Sequence, residues 1–391
     1  MAGSELRERV RDFVDRRVIP VEAAVEDAVA APDQVYPEVL MGLREEVREA
    51  GLWNLFLDPR YGGTVTQSEY APLCMEMGRS PAAPYAFNCA APDTGNAEIL
   101  SAWSTDAQRA ELLEPLLEGR IRSAFSMTEP DIAGSDPTTM KTRAVRDGDG
   151  WVINGRKWFT TGAEGAAFVI VMAVTDPDGP RHRRCTLFVV PAGTPGLNIT
   201  RSIPVLGHDG FPGHAEVRYE DVRVDDSARL GELGGAFAIA QERLRPGRLH
   251  HCMRGIGFAE RALELLVARA RERELRGRTL AEYDSVGELI AACRVEIEGA
   301  RLLTLEAVAR LEAAPTGADR SISIAKIAVP EMCQKVVDRA IQVHGGLGVS
   351  GDSPLTSLAR EARTLRLVDG ADAVHRSVVA RAELKASAAA A

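Results

Sequence analysis

Apolar residues recur every three or four positions near both ends of the chain, and in short alternating runs in the middle. Near the N-terminus Leu6, Val10, Phe13, Val14 and Val18 fall at helical spacing between charges, which predicts an amphipathic helix over Ser4–Glu22. A second 3.6-residue pattern covers Val39–Ala50, with Gly51 placed to end it as a C-cap. Turn chemistry follows at Arg60-Tyr61-Gly62-Gly63, and helices are expected over Ser68–Met77 and Asp106–Leu117. From Ser123 the pattern changes to strands, at Ser123–Met127, Thr139–Arg146, Trp151–Ile153, Ala167–Val174, Cys185–Val190 and Ala215–Tyr219. Asp147-Gly148-Asp149-Gly150 and Asp176-Pro177-Asp178-Gly179-Pro180 are hairpin punctuation between them.

From Gly235 the chain is helical again. Val286, Leu289, Ile290, Cys293, Ile297, Ala300, Leu303, Ala307 and Leu311 describe one apolar stripe on a helix of the length found in bundles. Pro246-Gly247 is expected to break or kink the preceding helical segment, and the Ala-rich tail Ala386–Ala391 to fray. The order predicts an α+β chain with an N-terminal helical domain (1–122), a central β domain (123–234) and a C-terminal helical bundle (235–391). That is not the alternation of a doubly wound nucleotide-binding fold. Gly346, Gly348 and Gly351 fit G-x-G-x-x-G, but Glu331–His344 before them is helical, so the strand a dinucleotide fingerprint requires is missing.

A chain of 391 residues is too long for one small binding module, and no apolar run approaches the ~18 to 20 residues that span a bilayer. The N-terminal helix lacks the apolar core of a secretion signal and is too acidic for a transit peptide, so a cytoplasmic location is expected. A formal charge of -9 argues against nucleic acid as a partner. The run Arg269, Arg271, Arg273, Arg276 and Arg278 reads as a solvated helical face. Cys74, Cys89, Cys185, Cys252, Cys293 and Cys333 show no C-x-x-C spacing, so neither disulfides nor a metal site is expected.

Three segments carry candidate chemistry. Trp151–Ala163, WVINGRKWFTTGA, reads as two β segments around a turn at Asn154-Gly155, after which alternation puts Trp158 and Thr160 on one face. An aromatic beside a hydroxyl suits a planar cofactor, and an indole packed in a β core suits the same pattern. Phe125–Asp136, FSMTEPDIAGSD, ends a strand in a small-residue loop rich in backbone donors. Ile341–Gly348, IQVHGGLG, sets a helix end against a glycine turn. In addition, Arg248 shares a helical face with His251 or Cys252, either towards a substrate with an acidic group or as polar residues satisfied within the bundle; His250 stands beside them.

The motifs GLWNLFLDPRYGG, MTEPDIAGSD, GRKWFTTGA, RERELRG, IQVHGGLG and REARTLRLVDGADAVHR occur in that order, and the chain resembles the acyl-CoA dehydrogenase family over nearly its whole length. The resemblance implies an N-terminal helical domain, a central β-barrel or sandwich domain and a C-terminal four-helix bundle. It implies FAD held between the last two and across a subunit interface of a dimer or tetramer. By position, Phe125, Met127, Thr128, Gly134 and Ser135 would contact the flavin or its substrate side, and Trp158 and Thr160 would pack on and hydrogen-bond to the ring. Arg273, Gln342 and Gly346 would reach the adenosine and pyrophosphate of FAD in a neighbouring subunit, where a guanidinium fork matches phosphate oxygens. Gly370 and Ala371 would line the cofactor, and Ser135, Arg248, His251 and Val368 the substrate. Arg276 stands where the family usually has an aromatic.

The family's reaction removes an alpha proton and a beta hydride from an acyl-CoA thioester, giving a trans-2-enoyl-CoA, with electrons passing on to an electron-transfer flavoprotein. It needs a carboxylate base in a dry site. Flavin is the hydride acceptor. The family's usual C-terminal signature has Glu before Gly, whereas this chain has Val368-Asp369-Gly370-Ala371, which places Asp369 in the base position; a turn or N-cap role is the structural alternative. Asp is one methylene shorter, and its ordinary pKa of about 3.9 is close to the ~4.3 of Glu. The alternative base position on the bundle helix is Gly247 here, which has no side chain.

PYAFNCAAPDTGNAEIL, PVLGHDGFPGHAEV, RPGRLHHCMRGIGFAERAL and LVDGADAVHR narrow the resemblance to a subgroup that also occurs fused to an aminoglycoside-phosphotransferase-like kinase domain. This chain would be a free-standing bacterial form, and the subgroup's substrates include branched, long-chain and 4-phosphorylated acyl-CoAs. Two other activities fit the same resemblance: a flavin oxidase like the nitroalkane oxidases, and a flavin-binding protein without turnover.

Overall fold

Val10 on the first helix, and Val14 and Val18 on the π-helical turn Val14–Val18 that continues it, are fully buried, while charged residues between them face solvent. The computed structural model describes residues 2–28 and 35–390. The helices before the sheet are α1 (Ala2–Phe13), α2 (Glu22–Glu26), α3 (Glu38–Glu49), α4 (Gln67–Met77), α5 (Ala83–Ala86), α6 (Asp93–Trp103), α7 (Asp106–Gln108) and α8 (Glu114–Leu117). Those after it are α9 (Ala236–Glu272), α10 (Asp284–Ala313), α11 (Asp319–His344), α12 (Leu355–Thr364) and α13 (Asp372–Ala390). Two compact units result, neither continuous in sequence: Met1–Ala23 with Val65–Pro84 and Arg245–Ala391, and Ala24–Thr64 with Tyr85–Leu244.

In the first unit α10 packs along α11, which also carries α12 and α13, and α1 lies on α4. The α10 stripe is buried at Val286, Cys293, Ile297, Ala300, Ala307 and Leu311, but Leu303 is 40% exposed. Thr304 takes the inward position instead, its hydroxyl donating to the Ala300 carbonyl at 2.9 Å. The break expected at Pro246-Gly247 does not occur, because α9 runs through both residues. A proline removes a single N–H from the ladder, and a helix this long retains its other hydrogen bonds. At the Ala-rich tail α13 continues to Ala390, and Ala391 lies outside the described residues.

The arginine run is not one helical face. Only Arg269 and Arg271 are on α9; Arg273 follows it, and Arg278 lies on β10 (Arg278–Thr279), which pairs with β9 (Glu274–Leu275). Arg276 and Gly277 form the two-residue turn, with φ of 53 and 76°. Positive φ at both positions is what a two-residue hairpin in a type I′ turn requires, and it turns the chain out of the helix here.

The second unit holds one eight-stranded sheet: β1 (Ser123–Ser126), β2 (Arg143–Asp147), β3 (Gly150–Thr161), β4 (Phe168–Val174), β5 (Cys185–Pro191), β6 (Leu197–Ser202), β7 (His214–Asp225) and β8 (Arg229–Leu230). The order is β6-β7-β3-β2-β4-β5-β8, with β1 parallel to β4. The strand expected from Thr139 starts at Arg143, after a 3-10 turn at Pro137–Thr139. Trp151, Phe188, Val190, Val217 and Tyr219 fill the core of this unit, and the Trp151 indole donates to Asp226 Oδ1 at 2.8 Å. All six cysteines are buried thiols. Among the described residues no helix is long and apolar enough to cross a membrane.

Candidate active site

The chain leaving β1 is fixed from beneath by a buried ion pair. Lys157 Nζ donates to the Met127 carbonyl at 2.9 Å and lies 3.0 Å from Glu129 Oε1, while Glu129 also accepts from the amides of Lys141 (2.7 Å) and Thr142 (2.8 Å). Burial alone would push the Glu129 carboxyl up; the Lys157 ammonium and those amides outweigh it and hold its pKa below the usual carboxylate value. The Trp158 amide donates to the Thr128 carbonyl at 3.0 Å. Met127 and Thr128 therefore present a rigid backbone, and Gly134 and Ser135 lie further along it in an exposed loop. Phe125 sits on β1 with the Arg243 guanidinium 4.2 Å from its ring centre.

Trp151–Thr161 is not two segments around a turn. It is one strand, irregular at Ile153–Gly155 and bulged between Lys157 and Thr160. Lys157 pairs with Val217 and Thr160 with Ala215, so Trp158 and Phe159 together oppose the single residue Glu216, and Phe159 has a φ of 49°. The extra residue shifts the alternation. Thr160 consequently shares the inward face with Lys157, and not with Trp158 as strict alternation predicts; its hydroxyl is 3.1 Å from Ser126 Oγ. The bulge leaves the Trp158 Nε1–H buried with no acceptor among the described residues. Lys157 and Glu129 escaped the sequence reading, since a buried lysine has no signature before its partner is known.

In the helical unit Asp369 lies on a loop closed at its base. The Arg366 guanidinium binds the Asp372 carboxylate (Nε to Oδ2, 2.7 Å), and the Asp372 amide donates to the Arg366 carbonyl at 3.3 Å. Two cations hold the loop by its carbonyls: Lys326 Nζ at 2.6 Å from Leu365 O, and Arg248 Nε at 2.9 Å from Asp369 O. Asp369 has a φ of 53° and Gly370 one of 111°, and a Cβ on Gly370 would fall 2.9 Å from His375 Nε2. The Asp369 carboxylate points at α9: Oδ2 lies 3.3 Å from His251 Nε2, and a Cβ on Gly247 would be 3.2 Å away.

Asp369, Arg248, His251 and Gly370 are thus brought together, with Val368 and Ala371 on the same loop. Arg248 and His251 face the segment that carries Asp369, whereas His250 is buried against Tyr70 and Gln67. Burial pushes His250 down to about 3 and His251 to about 4, so both are neutral at pH 7. Arg273 is exposed at the start of the β9–β10 hairpin, and Gln342 and Gly346 are exposed at the C-terminal end of α11; among the described residues no hydrogen bond joins these three.

Three domain descriptions match the sequence in order: the acyl-CoA dehydrogenase N-terminal domain over residues 3–120, the middle domain over 124–222 and the C-terminal domain over 234–384. A Mycobacterium tuberculosis protein assigned as acyl-CoA dehydrogenase FadE2 is 47% identical, the match covering 97% of this chain and 95% of that one. The chain belongs to the acyl-CoA dehydrogenase family. It is accordingly an FAD-dependent oxidoreductase acting on CH–CH bonds. A Mycobacterium abscessus structure assigned to the same family superposes with a TM-score of 0.94 at 46% identity, covering 99% of each chain. The butyryl-CoA dehydrogenase of Megasphaera elsdenii gives 0.84 at 26%, covering 98% of each. Acyl-CoA dehydrogenase family member 11 of Gallus gallus is 43% identical, and there the chain spans 50% of the relative's length. The residues present fit the family's cofactor: the acceptorless indole N–H of Trp158 suits a polar ring edge, and the exposed Arg273 a phosphate.

Proposed function

We propose that the protein oxidises an acyl-CoA to its trans-2-enoyl-CoA with Asp369 as the base. The observation that carries this reading is the placement of Asp369: its backbone is held by Arg248, and its carboxylate points at a helix position that has no side chain, Gly247. A carboxylate fixed in this way accepts the alpha proton without first having to be ordered. Bound FAD supplies the acceptor for the beta hydride. Trp158 and the Met127–Thr128 backbone would hold the flavin, with Phe125, Gly134, Ser135, Gly370 and Ala371 beside it; Thr160, expected to bond to the ring, is instead fully buried on the face of Lys157. Arg273, Gln342 and Gly346 would bind its adenosine and pyrophosphate within a homo-oligomer. Electrons would leave to an electron-transfer flavoprotein.

The decisive experiment is anaerobic flavin bleaching with straight, branched, long-chain and 4-phosphorylated acyl-CoAs, repeated with Asp369→Asn. The parent should bleach with at least one of them and the Asn variant should not. Bleaching of the variant at the parental rate would remove Asp369 as base.

A further inference from the structure

His251 stands between two groups of opposite character. Its Nδ1 lies 3.0 Å from Arg254 Nη2, and its Nε2 lies 3.3 Å from Asp369 Oδ2. A guanidinium has no lone pair to offer, so Nδ1 must be the acceptor in the first contact. In a neutral imidazole the single proton then sits on Nε2, the nitrogen facing the carboxylate. Arg254 and His251 are one turn apart on α9, so the helix itself sets this order of donors.

The surroundings keep the ring neutral. His251 is largely buried, and burial outweighs the pull of the Asp369 carboxylate, with Arg254 and Lys326 also disfavouring a second positive charge. The other charged or titratable groups around Asp369 are Arg248 from α9, Lys326 from α11 and His375 from α13, while His250 on α9 is turned towards Tyr70 and Gln67 and feels the carboxylate only at a distance. At Asp369, Arg248 Nε donates to the backbone carbonyl, and His251 Nε2 lies beside the carboxylate. At 3.3 Å the second contact lies just beyond the ~2.7–3.2 Å of an ordinary N–H···O bond.

We infer that His251 is a positioning residue for Asp369. Arg254 sets the imidazole as its Nε2–H tautomer, and this neutral donor fixes the direction of the carboxylate without neutralising it. A cation in the same place would form a salt bridge and depress the basicity the reaction needs, and an apolar residue would let the short Asp side chain turn. The inference rests on the reading of Asp369 as the base.

The test uses the FAD-loaded full chain with His251→Phe, His251→Gln and Asp369→Asn. For His251→Phe the rate of flavin reduction by acyl-CoA should fall ten- to a hundredfold with KM little changed. The acid limb of the kcat/KM profile should move up by about one pH unit, because a donor to the carboxylate has gone. His251→Gln, which keeps an N–H of similar reach, should recover most of the rate. Nitrogen-15 NMR of labelled histidine in the parent should show a ring protonated at Nε2 and still neutral at pH 6. A His251→Phe enzyme with parental rate and an unmoved acid limb overturns the inference, as does a parent ring protonated at Nδ1. The NMR result decides the matter even if the Phe variant does not fold. Flavin reduction by Asp369→Asn would instead overturn the base assignment itself, so the two failures are distinguishable.

Discussion

Lys157 Nζ and Glu129 Oε1 lie 3.0 Å apart beneath the Met127–Thr128 backbone, with 0 and 3% of their side chains exposed. Removing one partner strands the other charge, at a cost of about 3–5 kcal/mol. Lys157→Met should therefore destabilise strongly in chemical denaturation, and Lys157→Met with Glu129→Gln should recover much of the loss. The folded pKa of Glu129 lies below its unfolded value, so its stabilisation is complete above the ordinary carboxylate range and lost as pH falls through the folded pKa. Glu129→Gln should flatten that part of the acid-side decline.

Gly247→Ala would place a methyl 3.2 Å from Asp369 Oδ2, tighter than ordinary van der Waals contact. Alanine is favoured over glycine inside a helix by about 1 kcal/mol, so the melting temperature should hold or rise. The rate of flavin reduction should nevertheless fall roughly ten- to a hundredfold through misdirection of the carboxylate. A melting temperature that falls in step with the rate would point to damage to the helix and not to the site.

His250, His251 and His375 are pushed down by burial to about 3, 4 and 4. The unfolded chain takes up protons near pH 6.5, where the folded chain does not, so stability is complete above that pH and declines as pH falls towards 4. Each group contributes up to about 1.4 kcal/mol per pH unit across that window. Unfolding free energies measured by denaturant between pH 8 and pH 5 should show the decline, and His250→Gln should reduce its slope by one proton.

Arg273→Ala should loosen FAD without unfolding the chain, since Arg273 is exposed and just beyond the end of α9. A lost charge-assisted hydrogen bond to phosphate corresponds to roughly a ten- to hundredfold rise in Kd. Titration of apoprotein with FAD, followed by flavin fluorescence, measures it; an unchanged Kd would remove Arg273 from the cofactor site.

The long-range order of helices, strands and helices was legible because each period repeats over many residues. The α10 stripe survives the replacement of one member, Leu303 by Thr304, since its other positions hold the same face. Local irregularities were not legible. The bulge at Trp158–Phe159 moves Thr160 to the face of Lys157, and nothing in Gly155–Ala163 signals an inserted residue, because alternation is defined only relative to a partner strand. The α9 helix passes through Pro246-Gly247 although local propensity opposes it. At the candidate site, Asp369 and Gly247 were each readable from the resemblance. Their mutual facing, and the contacts of Arg248 and His251 with the Asp369 residue, required the fold.

The six buried thiols amount to a set of internal clocks. Cys74, Cys252, Cys293 and Cys333 belong to the helical unit, Cys89 and Cys185 to the unit that holds the sheet, and all six are out of solvent. A thiol reagent can reach each of them only when its surroundings open, so the order in which the cysteines become labelled, read by mass spectrometry, times the opening of the two units separately. The molecule thus carries its own record of which unit loosens first.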